Sequence, residues 1–174
     1  MGKVGLFYGS STGKTEFVAF QMKDQFDKRA PGLVDVHNIG ATTVEQFTSY
    51  EYLICGIPTW NTGQLQDDWA FFLPKLKGVS LAGKKLAVFG LGDQNGYGFN
   101  FLDAVGTLTD DLLACGAQLW GLWRTSDGYQ FEESKAVIED HFLGLGIDED
   151  GQNERTSARI EKWVQQVLGE FELA

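Results

Sequence analysis

The chain has 174 residues, 43% of them apolar and 13% aromatic, with a formal net charge of −10. A chain of this length buries about 70% of the surface its unfolded form exposes, enough for one core and a single domain over residues 1–174. The charge argues against nucleic acid as a partner, since phosphates repel an acidic surface, and no stretch approaches the ~20 consecutive apolar residues of a membrane span.

The charge is unevenly placed. Residues 1–90 carry nine Lys/Arg against eight Asp/Glu, whereas residues 91–174 carry five against sixteen. A one-sided acidic surface keeps a protein dispersed and steers a basic protein partner towards it. Cys55 and Cys115 have neither zinc-ligand spacing nor a disulfide framework, and His37 and His141 stand alone, so a metal centre is not expected. The N-terminus reads as a short strand rather than a signal peptide, and the expected location is cytoplasmic or an equivalent reducing compartment.

Residues 3–9 form an apolar run ending in glycine, the pattern of a buried parallel strand. A helix is expected over residues 13–29, with Val18, Met22 and Phe26 on its apolar face and Phe17 widening it. A second strand is expected over 33–39, a weak helix over 43–49, and a third strand over 52–57, stopped at Pro58. A helix over 65–76 then carries Trp69, Phe72, Leu73 and Leu76, and a fourth strand spans 84–90. Residues 102–116 read as another helix and 118–123 as the start of a fifth strand. Residues 124–143 break the alternation and read as an insertion that splits that strand, which resumes over 142–147. The final helix places Ile160, Trp163, Val164, Val167, Leu168 and Phe171 on one stripe.

Five strand–helix alternations predict an α/β sandwich of three layers, a parallel sheet with helices on both faces. Ligands of such sheets sit beyond the carboxyl ends of the strands, and three unusual loops follow strand ends here.

The first is Ser10-Ser11-Thr12-Gly13-Lys14-Thr15, whose hydroxyls and helix-start N–H groups suit a phosphate. It nearly matches the nucleotide P-loop, but Tyr8 stands where that motif needs its first glycine. A terminal phosphate cradled by hydroxyls fits better than a triphosphate. The second loop, residues 58–63, holds Trp60 between Pro58 and Gly63, and the third, residues 92–98, holds Tyr97 among glycines. Two aromatics beside one phosphate cradle indicate a flat aromatic ligand between them.

With these three loops and the run Phe-Leu-Gly-Leu-Gly-Ile-Asp-Glu-Asp at residues 142–150, the sequence resembles the flavodoxins along essentially its whole length, specifically the long-chain kind with an insertion in the fifth strand. The resemblance implies strand order 2-1-3-4-5 and a non-covalently bound flavin mononucleotide (FMN). It implies phosphate on Ser10, Ser11, Thr12, Gly13, Lys14 and Thr15, with Trp60 on the inner ring face and Tyr97 outside. Thr59 and Asn61 would help hold the ribityl and phosphate, Asp150 would contact the ribityl chain, Asp93 would lie by the pyrimidine edge, and Pro58, Thr62, Gly63, Gly92 and Asn100 would complete the cofactor site. The Asn61–Thr62 peptide would be the redox-responsive one, and a positive φ at Thr62 would cost more than at glycine.

The implied function is one-electron transfer through semiquinone and hydroquinone states between a reductase and low-potential acceptors with basic docking surfaces, by a monomer that is not an enzyme. After Tyr97 come Gly98 and Phe99 where relatives often carry an acidic residue, and residues 124–129 are one residue longer than expected; both are assigned to the partner surface. The rival from another class is a flavin-dependent quinone or nitro reductase that binds a nicotinamide directly, a reading that Tyr97 over the ring disfavours. A P-loop phosphohydrolase is a distant third.

Overall fold

The computed structural model describes residues 1–173. The first strand, β1 (Val4–Tyr8), is buried at every position and leads into α1 (Lys14–Arg29). Next come β2 (Val34–Asn38), α2 (Val44–Thr48), β3 (Tyr52–Pro58) and α3 (Asp67–Phe72). β4 (Lys85–Leu91) and α4 (Asp103–Ala114) precede a short β5 (Gln118–Trp120). The helix expected over 65–76 is α-helical only to Phe72, then tightens into a 3₁₀ turn over Leu73–Leu76, because Pro74 cannot continue the α-helical hydrogen-bond ladder.

The strands pair in parallel in the order β2-β1-β3-β4-β5. The final position is shared by two short strands. β5 pairs with Lys85–Ala87 of β4, and β9 (Leu145–Ile147) pairs with Phe89–Leu91 further along the same strand. Between them lie β6 (Trp123–Arg124), β7 (Val137–Ile138) and β8 (His141–Phe142), a separate antiparallel sheet in the order β6-β8-β7. The excursion leaves the main sheet after Trp120, before the end of the strand expected over 118–123. The chain closes with α5 (Asn153–Glu170).

Two apolar layers follow from this topology. On one face of the sheet Val18, Ala19, Met22 and Phe26 of α1 meet Ile160, Trp163, Val164 and Val167 of α5. On the other, Phe47, Trp69 and Phe72 join Val105, Leu108 and Leu112 of α4, and Ala136 and Phe142 of the inserted segment belong to that same layer. Phe17 does not widen the buried face of α1; it is 58% exposed. The winding reverses between β1 and β3, so the loops after β1, β3 and β4 emerge side by side at the carboxyl ends of neighbouring strands, where ligands of such sheets bind.

Candidate functional site

A cleft of about 250 Å³ opens at those strand ends. It is lined by Ser11, Thr12, Lys14 and Thr15 after β1; Pro58, Thr59, Trp60 and Asn61 after β3; Leu91, Gly92, Asp93 and Tyr97 after β4; and Glu149 and Asp150 after β9. Twelve of the seventeen residues expected at the site therefore share one cavity wall.

The phosphate-type end is built on the start of α1. Gly13 sits at φ 89 with open space around its Cα, so the chain turns into the helix in a conformation that favours glycine. The first helical N–H groups, of Lys14 and Thr15, have no intrahelical acceptor and lie at the positive end of the helix dipole. Ser10 has a different role from its neighbours: its Oγ accepts from the N–H groups of Gly13 (3.1 Å) and Glu16 (3.4 Å), which fixes the turn. Behind the turn, buried Gln66 donates to Ser11 Oγ (3.3 Å) and accepts from the N–H groups of Asp68 and Trp69. A side chain at Gly9 would run into Gln66 and Trp69, so the turn packs closely on the start of α3.

Lys14 is the one cation in the lining. Its Nζ donates to Asp150 Oδ1 at 2.6 Å, across the mouth of the cleft, with both side chains about half exposed. The hydrogen bond that Lys14 donates to Asp150, helped by the charges of Asp150, Glu149 and Asp93, pushes the Lys14 pKa up. Glu149 Oε1 is buried without a hydrogen-bond partner among the described residues, and Glu149 was not singled out in the sequence. Its place beside Asp150 in the acidic run at 148–150 was the available signal.

The aromatic end rests on two tight turns. The Trp60 carbonyl accepts from Gly63 N–H (3.0 Å) and Gln64 N–H (2.8 Å), and Trp60 N–H donates back to Gln64. Left-handed φ values fall on Asn61 (46°), a residue that tolerates this region, and Gly63 (97°), and not on Thr62. In the third loop Asp93 Oδ1 accepts from the N–H groups of Asn95 and Gly96, and Tyr97 N–H donates to the Asp93 carbonyl (2.8 Å). Tyr97 is 45% exposed over the cleft.

Five expected residues lie outside the lining. Ser10 and Gly13 shape the first turn, while Thr62 and Gly63 belong to the Trp60 turn. Asn100 turns away and donates to Asp103 Oδ2 (3.0 Å). Asp148, fully buried, was also missed: its carboxylate accepts from Gln94 N–H and Gly151 N–H and so joins the Tyr97 loop to the Asp150 loop.

Comparison with known proteins decides the family. A family model described as flavodoxin matches residues 6–163. The chain belongs to the flavodoxin family. It is 44% identical over 173 residues to a flavodoxin of Synechococcus elongatus, covering 99% of this chain and all of that one. It is 45% identical to flavodoxin 1 of Salmonella typhimurium over 174 residues, 99% of this chain and 97% of that one. Among solved structures, the Fusobacterium nucleatum flavodoxin bound to flavin mononucleotide superposes with a TM-score of 0.89 at 28% identity, covering 98% of this chain and 99% of that one. Flavodoxins are themselves a standing example of ligand binding at the point where the winding of an open sheet reverses.

Proposed function

We propose that this flavodoxin is a small one-electron carrier that holds FMN non-covalently in the cleft at the ends of β1, β3 and β4. The observation that carries the reading is the polarity of that cleft. Hydroxyls and unpaired helix N–H groups stand at one end, two aromatic side chains on turns at the other, and a single lysine among carboxylates between them.

The residues present fit the group. Ser11, Thr12 and Thr15 donate hydroxyls to a terminal phosphate, with the helix start supplying N–H groups and favourable dipole. Trp60 and Tyr97 offer aromatic faces to the ring, and Thr59, Asn61 and Asp150 offer polar groups to ribityl. Gly92 and Asp93 bring the β4 loop close to a ring edge.

When bound, FMN supplies the redox chemistry, accepting and releasing electrons one at a time. The chain binds the ring, limits water on its inner face through Trp60, and leaves an edge reachable from outside. Its carboxylates, Asp93, Glu149 and Asp150, place negative charge around the ring and disfavour further negative charge upon it. None of these roles is that of a catalytic acid, base or nucleophile, which accords with electron transfer rather than turnover of a substrate.

The partners that fit are redox proteins with basic surfaces, a reductase as donor and low-potential acceptors, met by the chain as a monomer in a reducing compartment. Among the described residues no helix is long and apolar enough to cross a membrane. The test is direct. The purified protein should show a flavin spectrum, heat should release a species with the mass of FMN, and steady NADPH oxidation should require an added reductase. Rapid NADPH oxidation by the protein alone would establish the rival reading of an enzyme.

A further inference from the structure

The carboxylate of Asp103 is buried, 1% exposed, at the first position of α4, and it is not part of the cleft wall. It nevertheless touches three segments that meet around the aromatic end. Oδ1 accepts from the N–H of Lys135, in the segment inserted between β5 and β9, at 2.7 Å. Oδ2 accepts from the side-chain amide of Asn100, in the stretch that follows Tyr97, at 3.0 Å. Gly63, which closes the Trp60 turn, lies so near that a Cβ there would stand 2.8 Å from Oδ2. The next residue along α4 adds a fourth link: Ala104 N–H donates to Thr59 Oγ1 at 3.1 Å.

The approach to Asp103 is itself costly. Leu102 is fully buried and takes φ 60, a left-handed conformation that a leucine holds only when its surroundings impose it. Around it the inserted segment follows the Tyr97 loop closely. Gly98 carbonyl accepts from the N–H groups of Glu132 (2.9 Å) and Glu133 (3.0 Å), and Gln94 accepts from Gln130 N–H. The Asp103 side chain thus bonds the insertion and the Tyr97 segment and lies against the Trp60 turn.

We infer that Asp103 is a positioning residue that sets the separation of Trp60 and Tyr97, and that the inserted segment acts on the flavin site through it. The inference rests on the flavin reading above. It assigns Asp103 no contact with flavin: the carboxylate fixes the two turns, and the turns hold the ring.

The experiment uses the full-length, flavin-loaded protein and three variants, Asp103→Ala, Asp103→Asn and, as a charge control on the exposed side of the same helix, Asp110→Asn. Asparagine retains an acceptor for Lys135 N–H and, with the Asn100 amide turned over, a partner for Asn100; alanine leaves both donors unpaired. Dissociation of FMN should accelerate about tenfold in Asp103→Ala, stay within about twofold of wild type in Asp103→Asn, and not change in Asp110→Asn. The visible circular dichroism of the bound flavin should change only in Asp103→Ala, and amide hydrogen exchange should rise together in residues 59–64 and 94–101.

Faster exchange confined to residues 132–136, with dissociation and circular dichroism unchanged, would overturn the proposal and make Asp103 an anchor of the insertion alone. If Asp103→Ala does not fold, Asn100→Ala removes only the donor to Oδ2 and should loosen residues 94–101; no change there would equally overturn it. A wild-type chain that holds no FMN would overturn the flavin reading, and the hydrogen-exchange arm, which needs no flavin, would still decide whether Asp103 ties the two turns.

Discussion

Tyr50 shows how one buried hydroxyl organises its surroundings. Its O–H donates to Asp35 Oδ2 at 2.8 Å, its oxygen lies 2.8 Å from His37 Nε2, and Gln46 reaches the other ring nitrogen at 3.2 Å. The isolated histidine of the sequence is thus a structural one, stacked on Phe7 at 5.1 Å. Burial, and then the hydrogen bond and charge of Asp35, push the Tyr50 pKa from 10.0 to about 12. The folded chain therefore keeps a proton that the unfolded chain releases across that window. Stability is intact below pH 10 and falls as the pH rises towards 12. Urea unfolding at a series of pH values should show this fall, and Tyr50→Phe should make it shallower; an unchanged slope would detach the effect from Tyr50.

Lys14 gives a second prediction at this scale. Its pair with Asp150 is half exposed, so breaking it costs stability at most ~1 kcal/mol. On the proposed function its worth would be to the ligand. Lys14→Met should weaken FMN binding about tenfold while leaving riboflavin, which has no phosphate, nearly unaffected. Equal losses for the two ligands would place Lys14 at the ring rather than the phosphate.

Among elements, the inserted segment departs most from what its residues suggest. Residues 124–130 are turn-rich and read as part of an insertion, and the extra residue in 124–129 is assigned to the partner surface because it lies away from the phosphate loop. Arg124, Ser126, Gly128 and Gln130 are exposed, while Asp127 and Tyr129 between them reach inward. Arg159 of α5, 3% exposed, donates to Asp127 Oδ2 (3.2 Å) and to the Asp127 carbonyl (2.6 Å), and its guanidinium lies 4.0 Å from the centre of the Tyr129 ring. Tyr129 in turn donates to the Gly146 carbonyl of β9 (2.6 Å), and burial pushes its pKa well up. Hydrophobic periodicity cannot register a joint made of an arginine, an aspartate and a tyrosine, whereas it located β1, β3 and β4 to within a residue and the buried stripe of α5. Arg159→Leu removes both bonds to Asp127 and, because the Asp127 side chain is 39% exposed and water can replace its partner, should lower stability by about 1–2 kcal/mol. An urea midpoint near wild type would show that the joint is dispensable.

The site was legible to a similar degree. Hydroxyls, glycines and loop aromatics identified the cleft wall because each is unusual where it stands. Glu149 in the wall, and Asp148 and Asp103 behind it, stood out less, since an acidic residue in an acidic half-chain shows its role only when the fold brings it to a neighbour. Gly63 was legible as a loop glycine, but not the second reason for it: its absent side chain is required by Asp103 as well as by φ 97. Gly63→Ala should destabilise the turn by about 1–3 kcal/mol and speed FMN loss; a variant indistinguishable from wild type in both would remove the close-packing argument.

Over the whole molecule, charge and topology act together. The sheet places the cleft at the ends of β1, β3 and β4, and the acidic residues of the C-terminal half bring carboxylates to the same rim through the loop after β9. One negative charge about 8 Å from the ring, at an effective dielectric near 20, costs an added electron roughly 2 kcal/mol, or about 90 mV at 59 mV per tenfold. The same charges would steer a basic partner, so electron transfer to such a partner should slow as salt is raised from low to moderate ionic strength. A rate independent of salt would leave acidity as a matter of dispersal alone.

The most direct test of a one-electron carrier is an anaerobic reductive titration of the flavin-loaded protein, followed by absorbance and electron paramagnetic resonance. The account predicts two separate one-electron steps, with a radical signal greatest near half reduction. A single two-electron bleaching with no radical signal at any point would contradict it.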